Sequence, residues 1–162
     1  MPFALRSTGT AEAIQTAAVG SQVGGVVQRV AFREGDNVEA GQLLIQIDPR
    51  PFRSSLDQAN AALARDRAQA ATASLEAERA SKLYEQNMLS RAEYDQDVAN
   101  AAALGATVQA DSAAAAMARL NLDYSAIRAP IAGRTGRVMV HEGDYVKAAT
   151  SDPLVTIIQP HP

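Results

Sequence analysis

The segment VAFREGDNVEAG at residues 30–41 returns as VMVHEGDYVKAA at residues 138–149, and this repeat decides the fold. The match extends backwards without a gap, at a constant offset of 108 residues, until Val19 lies over Ile127. Two copies are too few for a solenoid, which needs three or more repeats to close its core. The repeat therefore indicates a duplication: two half-units that pack against each other.

Both copies lie in segments with the composition of short β-strands. In residues 1–48, VVQRVAF is rich in β-branched residues, which favour strands. Residues 124–162 have the same composition, and a further shift of three residues aligns LLIQI (43–47) with LVTII (154–158). The two segments together predict one small β-sandwich, discontinuous in sequence, within an α+β fold.

Residues 49–123, which separate the copies, are predicted to be helical. Alanine dominates there, the only glycine is Gly105, and no proline follows Pro51 before residue 130. Proline is tolerated in the first turn of a helix, where its missing N–H would have no partner. Apolar residues then follow at the 4-3-4 spacing of a coiled coil, at Phe52, Leu56, Ala59 and Leu63.

A break near the middle of this segment, QNMLSRAEYD (86–95), predicts two helices rather than one. Asn87 can end the first helix in the left-handed conformation. Ser90 and Glu93 have the spacing of a capping box that starts the second helix. We therefore predict an antiparallel helical hairpin whose tip lies near residues 87–90.

The register of the hairpin follows from folding the segment at this break. Each helix would run roughly 50 Å at 1.5 Å per residue. A helix that covers a sheet needs a wide apolar stripe, whereas these helices contain mostly alanine, so we expect a projecting arm rather than a compact helical layer. The predicted facing pairs are Leu56 with Leu120, Leu63 with Ala113 or Ala114, and Leu83 with Tyr94.

Composition excludes several classes of protein. The chain of 162 residues has no cysteine, which excludes disulfides and thiolate metal sites. No apolar run approaches the ~20 residues of a membrane span. The opening MPFALRSTGT lacks the basic region and the apolar stretch of a signal peptide, so we expect any export signal to lie outside this sequence.

Binding to nucleic acid is not expected. The net charge of the chain is −3. Seven basic and nine acidic residues between Pro51 and Leu122 give the predicted hairpin a net charge of −2. Such an arm repels phosphates, which excludes the RNA-gripping role of some long hairpins.

The sequence offers little for catalysis. His141 precedes the second E-G-D turn, where the first half has Arg33, and is expected to be exposed. Asp36 and Asp144 are repeat equivalents, which we expect to cap their own turns rather than form a catalytic pair. No glycine-rich phosphate loop, nucleophile elbow or metal-ligand spacing appears. We predict no enzymatic activity and no metal.

A β-sandwich of two quasi-symmetric halves, each with an E-G-D-x-V turn, resembles the biotinyl/lipoyl domain. Carriers of that fold place a modifiable lysine in the hairpin between the halves. The junction here reads IDPRPF (47–52), and the chain has only Lys82 and Lys147. Because the helical segment begins where the carrier lysine would stand, we expect no lipoyl or biotinyl cofactor.

A lipoyl domain split at that junction by a helical hairpin resembles the periplasmic adaptors, or HlyD-like membrane fusion proteins, of tripartite efflux pumps. GGVVQRVAFREGDNVEAGQLLIQIDPRPF (24–52) resembles the first half-motif and hairpin entry of the branch that serves resistance-nodulation-division (RND) transporters. LNLDYSAIRAPIAGRTGRV (120–138) resembles the return into the second half. The resemblance covers nearly the whole chain.

This resemblance implies a function and a location. Such an adaptor works in the periplasm of a Gram-negative bacterium, anchored to the inner membrane. It links an inner-membrane transporter to a TolC-like outer-membrane channel for the export of drugs or other xenobiotics, and it forms a hexameric ring in the assembled pump. An alternative is the coiled-coil arm of another secretion or envelope-spanning assembly, as in adaptors of type I secretion systems or ABC exporters.

The hairpin tip carries a third similarity. Adaptors of this branch have Arg, then Leu four residues on, then Ser seven further, at the end that docks to the channel. Arg79, Leu83 and Ser90 have that spacing here, which implies a partner-binding site. A purely structural interpretation stays open, with Leu83 in the last core layer, Ser90 only a cap, and Arg79 a solvated partner of Glu76 or Glu78.

The family pattern is incomplete in this sequence. Full-length adaptors add a β-barrel, a membrane-proximal domain and an N-terminal signal with a lipid or helical anchor, for which this chain has no room. We therefore expect an excised core of a larger protein.

Overall fold

The computed structural model of the protein describes residues 15–149 and 152–159. The two ends of the chain, which motivate the expectations about an export signal and an excised core, lie outside the described residues. The chain divides into two compact units, one formed by Met1–Pro49 with Tyr124–Pro162 and the other by Arg50–Asp123. The architecture is α+β, as the sequence predicts.

The first unit is built from short strands in two antiparallel sheets. The sheet orders are β1-β8-β6-β3 and β5-β4-β2-β7. The described strands are β1 (Gln15–Val19), β2 (Gly25–Val30), β3 (Asn37–Val38), β4 (Leu43–Ile47), β5 (Ala126–Arg128), β6 (Gly133–Thr135), β7 (Tyr145–Val146) and β8 (Val155–Gln159).

Each sheet combines strands from both halves of the chain. By the sequence repeat, β5, β6, β7 and β8 are the counterparts of β1, β2, β3 and β4. Replacing every strand of the first sheet by its counterpart reproduces the strand order of the second sheet. The two half-units are therefore interleaved, and neither sheet can form from one half alone.

The two E-G-D turns have the same hydrogen bonds. The Asp36 carboxylate accepts a hydrogen bond from the backbone N–H of Arg33 at 2.8 Å, and the Asp144 carboxylate accepts one from His141 at 2.8 Å. The middle glycine of each turn has a positive φ, 82° and 95°, which a residue without Cβ adopts at no steric cost. The prediction that each aspartate caps its own turn is confirmed.

The glutamates of these turns tie the halves to each other. The Glu34 carboxylate accepts a hydrogen bond from the backbone N–H of Val138 at 2.9 Å. The Glu142 carboxylate accepts the equivalent bond from Val30 at 3.2 Å. Each half-unit thus satisfies a backbone donor of the other.

The core of this unit is aliphatic. Val38 and Val146 are 3% and 4% exposed, as expected for core positions, and burying each side chain contributes roughly 1.5–3 kcal/mol. The repeat equates Val30 with Val138, and we expect such equivalent apolar positions to lie in the core. In the structure both are half-buried instead and line one open cavity of about 360 Å³. The largest fully buried aliphatic side chains are Leu44, Ile45, Ile47, Ile157, Val27 and Val155.

The second unit is a helical hairpin. Helix α1 spans Arg50–Glu85 and helix α2 spans Arg91–Tyr124, or about 54 and 51 Å at 1.5 Å per residue. Neither described helix is long and apolar enough to cross a membrane. Small residues dominate the buried positions, which lets the helix axes approach closely; the buried apolar residues are Leu63, Ala73, Ala80, Ala115 and Ala118.

Candidate functional site at the hairpin tip

The turn that ends α1 is a Schellman motif. Asn87 has a φ of 58°, the left-handed conformation that the sequence predicts for it. The Asn87 N–H donates to the Tyr84 carbonyl at 2.9 Å, and the Met88 N–H donates to the Leu83 carbonyl at 2.8 Å. These two bonds satisfy carbonyls that the end of a helix would otherwise leave without donors.

A capping box starts α2, as predicted. The Glu93 N–H donates to the Ser90 hydroxyl oxygen at 3.3 Å, and the Ser90 N–H donates to the Glu93 carboxylate at 3.2 Å. The Ser90 hydroxyl also donates to the same carboxylate oxygen at 2.7 Å. The hydrogen bonds from the hydroxyl and then from the backbone hold the pKa of the Glu93 carboxyl below its ordinary value.

The layer nearest the tip contains two stacked tyrosines. The rings of Tyr84 and Tyr94 lie 5.1 Å apart between centroids, with 8° between their planes. The sequence-based register instead pairs Leu83 with Tyr94, and this detail is wrong by one residue. One residue rotates a side chain by about 100° around the helix, so the contact of Tyr84 with Tyr94 turns Leu83 away from the helix interface.

Arg79 and Leu83 lie one turn apart and therefore share a face of α1. Leu83 is 41% exposed, so it is not an enclosed core residue. Arg79 is exposed and forms no ion pair with Glu76 or Glu78 in the described part of the chain. The structure thus brings two of the three candidate residues together on one accessible surface.

Ser90 lies beyond the turn, and its hydroxyl is engaged with Glu93. Its contribution to the tip is therefore a defined local structure at the start of α2.

Sequence reasoning missed one exposed apolar residue at the tip. Met88 is 72% exposed and lies between the predicted docking residues Leu83 and Ser90. Its position directly after the left-handed residue was a usable signal, since Schellman motifs commonly place an apolar residue there.

The described residues contain no group of three or more His, Cys, Asp or Glu side chains that could hold a metal ion. His141 is exposed as predicted, and its Nδ1 lies 3.6 Å from the Asp144 carboxylate, on the surface of its turn.

Comparison with known proteins assigns the chain to a family. The family profile described as RND MFP, barrel-sandwich hybrid domain, where MFP stands for membrane fusion protein, matches residues 15–158. The chain belongs to the RND MFP family. Among solved structures, MacA from Actinobacillus actinomycetemcomitans is similar to this RND MFP chain with a TM-score of 0.76 and 29% identity, over 93% of this chain and 50% of that one.

Relatives in the RND MFP family carry a common name. Multidrug resistance protein MdtA of Pectobacterium carotovorum subsp. carotovorum (strain PC1) is 40% identical over 162 residues, which is 100% of this chain and 39% of that protein. MdtA of Erwinia amylovora (strain ATCC 49946 / CCPPB 0273 / Ea273 / 27-3) is 41% identical over 100% of this chain and 40% of its own length. The chain thus spans about two fifths of the length of these curated relatives.

Proposed function

We propose that this chain is the core of a periplasmic adaptor in a tripartite efflux pump, and that its hairpin tip binds a TolC-like outer-membrane channel. Membership of the RND MFP family supports an adaptor role rather than a catalytic one. The relatives named multidrug resistance protein support drugs or other xenobiotics as the exported compounds. The full-length protein would be anchored to the inner membrane and contact the transporter through regions outside this chain.

The observation that carries the docking proposal is the exposed pair Arg79 and Leu83. A guanidinium beside an accessible leucine suits a protein interface, because the guanidinium can donate to partner carbonyls while the leucine fills a notch. Met88 extends the apolar surface toward the turn. Leu83 stays 41% exposed beside the layer that Tyr84 and Tyr94 form nearest the tip.

The hairpin would act as a spacer as well as a docking surface. A rigid arm about 50 Å long carries its tip well away from its base, which suits a link toward a channel. Several copies arranged as a ring, six in the assembled pump, would present a circle of tips to the channel end.

The interleaved strands support a lipoyl-like sandwich as the fold of the first unit. Its two sheets are related by exchange of the repeated strands, as expected for two half-motifs that fold together. The junction between the halves is occupied by the helices rather than by a carrier lysine. The sandwich would therefore serve as scaffold and contact surface, with no attached cofactor.

The proposal is tested by substitutions at the tip of the full-length protein. Arg79→Asp would place a carboxylate against partner carbonyls, and Leu83→Ser would remove the apolar contact. We expect both to abolish efflux-dependent drug resistance while expression and thermal stability stay near those of the unsubstituted protein. Ser90→Arg should act likewise, with some added loss of stability from the missing cap, typically ~1 kcal/mol.

Matched controls lie elsewhere on the hairpin. Leu120 is 40% exposed, against 41% for Leu83, so Leu120→Ser removes an equally accessible leucine near the other end of α2. Arg53→Asp makes the same charge change near the start of α1, where Arg53 is exposed. Both controls should retain resistance. Full resistance in the tip variants, or a loss matched by the controls or explained by unfolding, would refute docking through Arg79 and Leu83.

A further inference from the structure

An aspartate occupies the seam between the two helices near the middle of the hairpin. Asp66 is 5% exposed and follows the buried Leu63 at core spacing on α1. The same 3-4 spacing leads on to the buried Ala73 and Ala80. A carboxylate in such a position is costly unless it is paired, because burial removes its hydration.

Asp66 has a partner on its own helix. The Arg65 guanidinium forms a two-bond ion pair with the Asp66 carboxylate, from Nε to Oδ1 and from Nη2 to Oδ2, the latter at 3.0 Å. Arg65 itself is largely exposed, with 65% of its side chain accessible, and reaches the seam from the surface.

A second carboxyl faces Asp66 from α2. The register of the hairpin places Asp111 at the level of Asp66: from the stacked Tyr84 and Tyr94, 18 residues back along α1 lead to Asp66 and 17 residues forward along α2 lead to Asp111. The interaction between the two carboxyls is also the main cause of the raised pKa of Asp111. Oδ2 of Asp111 is buried and has no hydrogen-bond partner among the described residues. Two ionised carboxylates contain no donor, so a hydrogen bond between them requires a proton on one of them.

The surrounding charges leave this pair short of positive charge. On α2, Asp111 is the only charged residue between Asp97 and Arg119. On α1, the neighbours are Arg65, which is paired with Asp66, and Arg67, which is exposed. Near the middle of the hairpin, the seam between the two helices therefore contains two carboxyls, Asp66 and Asp111, and one guanidinium, Arg65, which is already paired.

We propose that Asp66 and Asp111 form a pH-responsive clamp between the helices of the hairpin. In acid, the Asp111 carboxyl takes up a proton and donates it in a hydrogen bond to the Asp66 carboxylate, while Arg65 keeps Asp66 ionised. Loss of that proton leaves two negative carboxylates facing each other in the seam, which loosens the middle of the hairpin. The two carboxyls share one proton because two negative charges this close repel each other, which favours the protonated form of one of them.

The pKa directions of the two groups set the pH window. The hydrogen bond with Asp66 and then burial raise the pKa of Asp111, so its stabilising contribution is complete below the ordinary value of ~3.9 and is lost as pH rises through the raised pKa. The hydrogen bond from Arg65 lowers the pKa of Asp66, so its contribution is lost as pH falls through that lower pKa. The clamp is therefore tightest between the two pKa values.

Carboxyl ¹³C NMR titration of the whole chain measures the titration midpoints of Asp66 and Asp111 separately. We expect Asp111 to titrate above ~3.9 and Asp66 below it. In Asp66→Asn the titration midpoint of Asp111 should fall, because the amide donates to the Asp111 carboxylate and the facing charge is gone. The matched control Asp57→Asn, an exposed aspartate on α1, should leave both midpoints in place. Midpoints near the ordinary value for both groups would overturn the proposal.

Thermal unfolding followed by helical circular dichroism tests the consequence. The hairpin's Tm should fall as pH rises through the measured Asp111 midpoint. Asp111→Asn, whose amide donates to Asp66 at every pH, should remove this fall, whereas Asp57→Asn should keep it. A fall that persists unchanged in Asp111→Asn, or that is absent from the unsubstituted chain, would overturn the clamp.

Discussion

Tyr84 and Tyr94 stack across the hairpin one turn before its tip, with their ring centroids 5.1 Å apart and their planes nearly parallel. This contact fixes which residue of α1 faces α2, and it thereby sets the exposure of Leu83. The stability of the tip and its accessible surface are thus determined by neighbouring residues with different roles.

A double-mutant cycle on the two tyrosines should show this division. We expect Tyr84→Ala and Tyr94→Ala to be coupled by about 0.5–1.5 kcal/mol, the value typical of aromatic pairs, in denaturant unfolding followed by circular dichroism. Leu83→Ala should cost clearly less than Tyr84→Ala. If Leu83→Ala were as destabilising as Tyr84→Ala, Leu83 would be a core residue and this interpretation would be wrong.

The capping box should contribute measurably to the stability of α2. Ser90→Ala removes the hydroxyl that accepts from the Glu93 N–H, and we expect a loss of ~1 kcal/mol in the unfolding of the hairpin. Ser90→Thr, which keeps a capping oxygen, should lose much less. Equal losses in the two variants would contradict a capping role.

The cap also predicts a pH dependence at the acidic end. Because the folded pKa of Glu93 is lowered, its contribution is present above the unfolded value of ~4.3 and is lost as pH falls through the folded pKa. Melting curves of the hairpin collected down to pH 2 should show this loss, and Glu93→Gln should reduce it. If Glu93→Gln lost as much stability in acid as the unsubstituted chain, the acid-induced loss would come from a group other than Glu93.

Gly25 and Gly133 are repeat equivalents with unequal surroundings. A Cβ at Gly133 would lie 2.7 Å from the Ile158 carbonyl oxygen, whereas one at Gly25 would lie 2.6 Å from a side-chain methyl of Ile47. Since backbone yields less readily than a side chain, we expect Gly133→Ala to be the more destabilising, by roughly 1–3 kcal/mol. Calorimetry would measure the loss of stability in each variant. Gly20→Ala is the control, because a Cβ at Gly20 has no neighbouring atom within 4 Å.

Intact mass spectrometry tests the absence of a swinging-arm cofactor. Protein made in a host with active lipoyl and biotinyl ligases should have the mass of the unmodified chain. A mass increase that maps to Lys82 or Lys147 would overturn the scaffold role proposed for the sandwich.

Local rules predicted several parts of this structure from sequence because their causes lie within a few residues. The left-handed Asn87, the capping box at Ser90 and Glu93, and the aspartate-capped turns each depend on contacts across at most three to five positions. The sequence repeat likewise anticipated that both halves would fold together, and their strands do interleave.

The remaining details depend on packing between elements, which patterns do not resolve. The register at the tip differs by one residue, because Tyr84 rather than Leu83 faces Tyr94. Hydrophobic periodicity assigns charged residues to solvent, so the sequence pattern could not reveal that Asp66 is buried. The exposure of Arg79 and Leu83 agrees with docking, but the partner was inferred from the resemblance to adaptors.

The interleaving of the two halves bears on the order in which the chain folds. Residues 15–47 leave the ribosome before residues 126–159, and both sheets remain incomplete until the later residues have followed. The hairpin needs only its own residues, and its antiparallel helices bring the two ends of a long connection together, which shortens the loop that the sheets must close. We therefore expect helical amides to gain protection before those of the sheets in pulsed hydrogen exchange during refolding, because the hairpin forms first and brings the two halves of the repeat together.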